Sequence, residues 1–97
     1  MTKVHLSGEL ICADATQAAA VTAHLDRHIT LTRAEPGCES FEVTPGDASG
    51  TWRVDEWFVD AAAFAAHQAR VAESEWGRAT AGIERRYAIE GLDDQNT

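Results

Sequence analysis

Histidine placement is the first chemistry this sequence offers. His67 follows Phe64 by three residues and precedes Val71 by four, the spacing that sets all three on one side of a helix. A histidine on such a stripe is either a packed core residue or part of a pocket between helix and sheet, and the spacing leaves both open. Arg70 lies one turn further along, placed to meet an anionic substrate or to pair with an acidic neighbour. His24 and His28 also stand one turn apart, a metal-chelating spacing, but no third ligand is evident and a solvated or partly covered helix flank accounts for them better. His5 shares the polar side of a strand with Ser7 and Glu9. Asp55 and Glu56 are adjacent on a strand, hence on opposite faces, and do not form a carboxylate pair. The sequence contains no glycine-rich phosphate loop, Ser-His-Asp set or Cys-x-x-Cys pair.

The elements that must position these residues are legible from periodicity. Val4, Leu6, Gly8, Leu10 and Cys12 alternate with polar neighbours and predict a half-buried strand. Asp14 or Thr16 caps a helix expected from about Ala15 to Arg33, with Ala18, Val21, Leu25, Ile29 and Thr32 on its inner side. Pro36-Gly37 ends it. A strand at Cys38 to Thr44, a turn cluster at 45–50 and a strand at Thr51 to Val59 form a hairpin. In its second strand Trp52, Val54, Glu56 and Phe58 face one way, and Arg53, Asp55, Trp57 and Val59 the other. Asp60 caps the helix that carries His67. A short third helix is expected within Ala72 to Thr80, and a last strand from Ile83 to Ile89.

The order βαββαβ predicts a ferredoxin-like α+β fold, a four-stranded antiparallel sheet with its helices on one face. The bare face favours dimerisation. One domain is expected over 3–91, with a frayed acidic tail at 92–97. A chain of 97 residues buries only about two thirds of its unfolded surface, so a partner chain often helps stabilise it. With 16 acidic against 8 basic residues, a net charge of −8, the surface repels nucleic acid and anionic membranes. No run approaches the ~18 apolar residues of a membrane span. The N-terminus does not read as a signal peptide, which points to the cytoplasm. Cys12 and Cys38 are expected as free thiols, since the usual strand order keeps the first and second strands apart.

Four phrases carry a family likeness: Arg33-Ala34-Glu35-Pro36-Gly37-Cys38 after the first helix, Phe41-Glu42-Val43, Val54-Asp55-Glu56-Trp57-Phe58, and Ala63-Phe64-Ala65-Ala66-His67. Over roughly residues 3 to 91 the chain resembles the antibiotic-biosynthesis monooxygenase family of small dimeric α/β barrels. The resemblance implies a homodimer packed sheet against sheet, with a pocket between sheet and helices in each protomer. It implies oxidation of a small aromatic or quinol by O2 without metal, flavin or other cofactor, the deprotonated substrate supplying the electrons. Such a site needs an aromatic cleft, a base and an oxyanion donor. On this likeness His67 is the candidate base or phenol-binding group, and Trp52, Phe58, Phe64 and Trp76 are candidates for the lining. Tyr87 or Ser7 offers a hydroxyl, and Arg70 is a further candidate contact. The asparagine and tryptophan of quinone-forming members fall at Val54 and Phe58, which leaves a non-catalytic ligand-binding dimer as the alternative. The haem-degrading branch is disfavoured, because no histidine lies between residues 68 and 97.

Overall fold

The computed structural model describes residues 2–92. The elements run β1 (Val4–Ile11), α1 (Ala15–Arg33), β2 (Cys38–Pro45), β3 (Thr51–Phe58), α2 (Ala61–Ala72), α3 (Glu75–Ala79) and β4 (Glu84–Glu90). This is the expected ferredoxin-like α+β arrangement with a short third helix. The last strand begins one residue later than expected: the Ile83 N–H is taken by the Thr80 carbonyl, at 3.1 Å, before β4 pairing starts. The expected tail falls, from residue 93 onward, outside the described residues.

Each helix start has a local cause. Asp14 Oδ1 accepts from the Gln17 N–H at 2.9 Å, Asp60 Oδ1 from the Ala63 N–H at 2.8 Å, and Ser74 Oγ from the Gly77 N–H at 3.0 Å. Each of these side chains satisfies a backbone donor that the helix itself leaves unpaired.

The sheet is antiparallel in the order β2-β3-β1-β4. Strand β3 therefore separates the strands that lead to Cys12 and Cys38, and both thiols are free. Register pairs Val4 with Phe58, Leu6 with Glu56 and Gly8 with Val54, so these side chains share one face. Helix residues Val21, Leu25, Phe64 and Trp76 close over that face to form the core. An irregularity between Cys38 and Ser40 shifts β2, and Phe41 comes opposite Glu56. The other face holds His5, Asp55 and Trp57. The His5 and Trp57 rings stack at 4.0 Å, and His5 Nε2 lies 3.1 Å from Asp55 Oδ2.

Gly37 fixes how closely α2 approaches the exit of α1. A Cβ there would lie 2.2 Å from the Ala63 Cβ, and the Gly37 carbonyl already accepts from the Val59 N–H at 2.9 Å. Neither neighbour is the end of a flexible chain, so backbone must move to admit a methyl group. Gly37→Ala is expected to lower stability by about 1–3 kcal/mol, read from urea-unfolding midpoints at unchanged m-value.

Candidate functional site

Between the helices and their face of the sheet lies a cavity of about 160 Å³. Its walls include Phe41, Val43 and Val54 from the sheet, His28 from α1, His67 from α2, Trp76 from α3, and Arg85 and Tyr87 from β4. Glu56 contributes a carboxyl to these walls.

The turn leaving α1 organises the histidine. Glu35 sits there, and its carboxylate reaches two residues one turn apart on α2: His67 Nδ1 lies 3.0 Å from Oε1, while Arg70 Nε donates to Oε2. Arg70 Nη2 also donates to Thr32 Oγ1 on α1, at 2.9 Å. With a carboxylate as partner, Nδ1 carries the proton, and Nε2 of the neutral ring is left with a free lone pair. Burial pushes the His67 pKa below its ordinary value against the opposing pull of Glu35, so the ring is neutral at working pH. Nε2 lies 3.8 Å from Glu56 Oε1.

Glu56 is in the opposite condition. Burial, followed by the charges of Glu35 and Asp55, pushes its pKa up to about 8, with Arg85 pulling weakly the other way. At neutral pH it is a carboxylic acid, and its buried Oε1 has no hydrogen-bond partner among the described residues. A neutral base and a neutral acid thus stand side by side. Such a pairing has the chemistry to accept a proton from a hydroxyl and to donate a hydrogen bond to the oxygen left behind. Burial likewise pushes the Tyr87 hydroxyl up to about 12, which makes it a donor and not a base.

Of the residues singled out in the sequence, His67, Trp76 and Tyr87 line this cavity. Phe58 and Phe64 lie behind it: the Phe58 ring is 4.9 Å from His67 and 5.6 Å from Phe64, and all three are buried. Trp52 sits at the far end of β3 beside the 45–50 turn, lining a separate depression. Arg70 is taken up by Glu35 and Thr32, the acidic-neighbour reading. His28 departs from its expected place on a solvated or partly covered flank. It is buried, stacked on Trp76 at 4.5 Å and edge-on to Phe41 at 5.2 Å. The signal was present in sequence: 21, 25, 28 and 32 repeat at four and three residues, and all four are buried. Glu56 was equally visible as an acid on an apolar strand face, but its pairing with His67 depends on helix placement. Among the described residues no cluster of three or more His, Cys, Asp or Glu is arranged to hold a metal, and no helix is long and apolar enough to cross a membrane.

The fold is thus a ferredoxin-like α+β domain with a cavity between sheet and helices, bordered by a histidine held by Glu35 and by a buried carboxyl. The profile of the Antibiotic biosynthesis monooxygenase family matches residues 10–78, and the chain belongs to that family. No functionally curated protein matches it in sequence. Among solved structures it is similar to SnoaB, a cofactor-independent oxygenase from Streptomyces nogalater, with TM-score 0.75, 13% identity, and 92% of this chain and 91% of that one covered. It is also similar to MupZ from Pseudomonas fluorescens (TM-score 0.77, 19% identity, 99% and 77% covered). A third is Rv0793 from Mycobacterium tuberculosis (TM-score 0.71, 21% identity, 91% and 92% covered). At these identities the likeness is one of fold.

The state of Glu56 makes stability depend on pH. The folded protein keeps a proton that the unfolded chain releases above about 4.5, so this group's contribution falls as pH rises from there through about 8. Glu56→Gln keeps the shape and cannot ionise. The variant is expected to match the native protein at pH 5 and to exceed it by about 2 kcal/mol or more at pH 9, in parallel denaturant titrations.

Proposed function

We propose that the protein is a cofactor-independent monooxygenase acting on a small phenol or quinol with O2, in the cavity beside His67. The observation that carries this reading is the Glu35–His67 contact, which leaves a neutral Nε2 at an aromatic-lined cavity. Family membership and the fold shared with a cofactor-independent oxygenase support it.

The substrate hydroxyl gives its proton to His67 Nε2, and the resulting phenolate oxygen takes a hydrogen bond from the Glu56 acid. The electron-rich ring then reduces O2. One oxygen atom ends as the new carbonyl on the ring and the other leaves as water. The substrate's O–H and ring C–H hydrogens supply that water, so no external reductant is needed. Glu35 holds the imidazolium while it carries the proton, much as a carboxylate orients histidine in other proton-transfer sites.

Oxygen uptake with a panel of phenols and quinols tests the reading. His67→Ala is expected to lower kcat at least about 100-fold. Glu35→Gln, which frees the ring to adopt the other tautomer, should lower kcat while leaving KM within a few-fold. Turnover indifferent to His67→Ala removes the histidine from catalysis. Binding of aromatics with no uptake favours the non-catalytic reading, which the presence of Val54 and Phe58 on β3 supports.

We also propose that it works as a homodimer joined through the outer face of the sheet. Trp57 there is 37% exposed, a large apolar side chain on the face opposite the helices. Sedimentation equilibrium is expected to give twice the chain mass, and Trp57→Lys to shift the population toward monomer. A monomeric native protein would remove this proposal.

A further inference from the structure

A separate cleft of about 230 Å³ lies between the flank of α1 and the corner where α2 gives way to α3. Helix α1 contributes His24, Arg27, His28 and Leu31, whose three- and four-residue spacing sets them on one side of the helix. Trp76 and Arg78 of α3 face them across the cleft, and the last turn of α2 adds Arg70. The stacked rings of His28 and Trp76 border the inner cavity as well, and no other residue is common to the two linings. Arg85, the arginine of the inner cavity, does not border this cleft.

Charge distinguishes the cleft from the rest of the surface. The chain has 16 acidic residues against 8 basic ones, yet three of those eight, Arg27, Arg70 and Arg78, line this one depression. Two carboxylates, Glu73 and Glu75, also border it, and neither is hydrogen-bonded to these arginines among the described residues. Arg27 Nε stands 3.9 Å from Glu75 Oε1, beyond hydrogen-bond distance, with both side chains open to solvent. Arg78 donates at 2.8 Å to the backbone carbonyl of Glu73, which holds the guanidinium in place without neutralising it. A guanidinium is a planar fork that matches a carboxylate or a phosphate, and cations set around a concave surface concentrate anions there.

The cleft also has an apolar part. Trp76 is nearly buried beside it, and Leu31 is one of the few large apolar side chains left exposed. Its volume of about 230 Å³ exceeds the ~150 Å³ of a cavity that holds benzene, which leaves room for a ring with one charged substituent.

We propose that this cleft binds a small organic anion, its carboxylate or phosphate held by Arg27 and Arg78 and its apolar body set against Leu31 and Trp76. The site is distinct from the cavity assigned to oxidation and does not rest on that assignment.

Calorimetric titration of the full chain tests this. The ligands are benzoate and phenyl phosphate, each beside its bare head group, acetate or inorganic phosphate, with benzyl alcohol as the neutral ring. At about 20 mM salt at least one aromatic anion is expected to bind about tenfold more tightly than benzyl alcohol, an advantage that shrinks at about 0.5 M. The tighter of the two anions identifies the head group. The double variant Arg27→Gln, Arg78→Gln alters only exposed side chains and is expected to erase the advantage at unchanged circular dichroism. Arg85→Gln, which removes the arginine of the inner cavity, is expected to change anion affinity by less than about threefold. If neither anion binds more tightly than benzyl alcohol, the native protein alone overturns the proposal. Affinity that survives the double substitution overturns it too, as does affinity lost instead in Arg85→Gln, which places the anion in the inner cavity. Acetate and phosphate bound as tightly as their aromatic counterparts overturn the role given to Leu31 and Trp76.

Discussion

The contact on which the site depends is the one made by Glu35. Its two carboxylate oxygens join the exit of α1 to two consecutive turns of α2, through His67 and Arg70. Hydrogen bonds to charged groups are worth about 1.5–3 kcal/mol each, more than most contacts of a small domain. This contact also sets the tautomer of His67 and with it the direction in which a lone pair is offered. Gly37, two residues on, lets the helix come close enough for the reach to succeed. One short turn therefore fixes both the seating of α2 and the chemistry of its histidine.

The two carboxyl groups near that histidine are made different by their surroundings. Glu35 has Arg70 directly against it and remains partly open to solvent. Glu56 is sealed beneath the helices, with Arg85 too weak an influence to offset burial. A carboxylate on Nδ1 and an acid near Nε2 give the imidazole an orienting partner on one side and a donor on the other. Environments that separate the states of neighbouring titratable groups are how a site obtains acid and base at one pH.

The face away from the helices has its own organisation. His5 stacks on Trp57, and its two ring nitrogens lie 3.1 Å from Asp55 and 3.6 Å from Glu90. Its side chains project from the opposite side of the pleat to the cavity, so the two faces can serve separate purposes without sharing residues.

The architecture was legible in the order of periodicities. Alternation in β1 and β3, the caps at Asp14 and Asp60 and the Pro36-Gly37 stop are local signals, and they define the βαββαβ order that the structure has. The inward position of His67 was legible for the same reason, as a histidine on an apolar helical stripe. His28 was nearly so: the heptad spacing of Val21, Leu25 and Thr32 places it inward, beside Ile29, which also packs against the core. The family likeness makes Trp52, Phe58 and Phe64 candidates for the lining, yet a shared face is wider than a cavity, and only packing decides which part of it borders open space.

What the sequence by itself determined is therefore what depends on neighbours within a few residues: the elements, their faces, and which side of the sheet each titratable group shares. What only the tertiary structure decided are the meetings across distance in the chain. Glu35 meets His67 from 32 residues away. Glu56 comes beside His67, and His28 under Trp76. Protonation states follow those meetings, because burial and partner charges shift a pKa and neither is a property of local sequence.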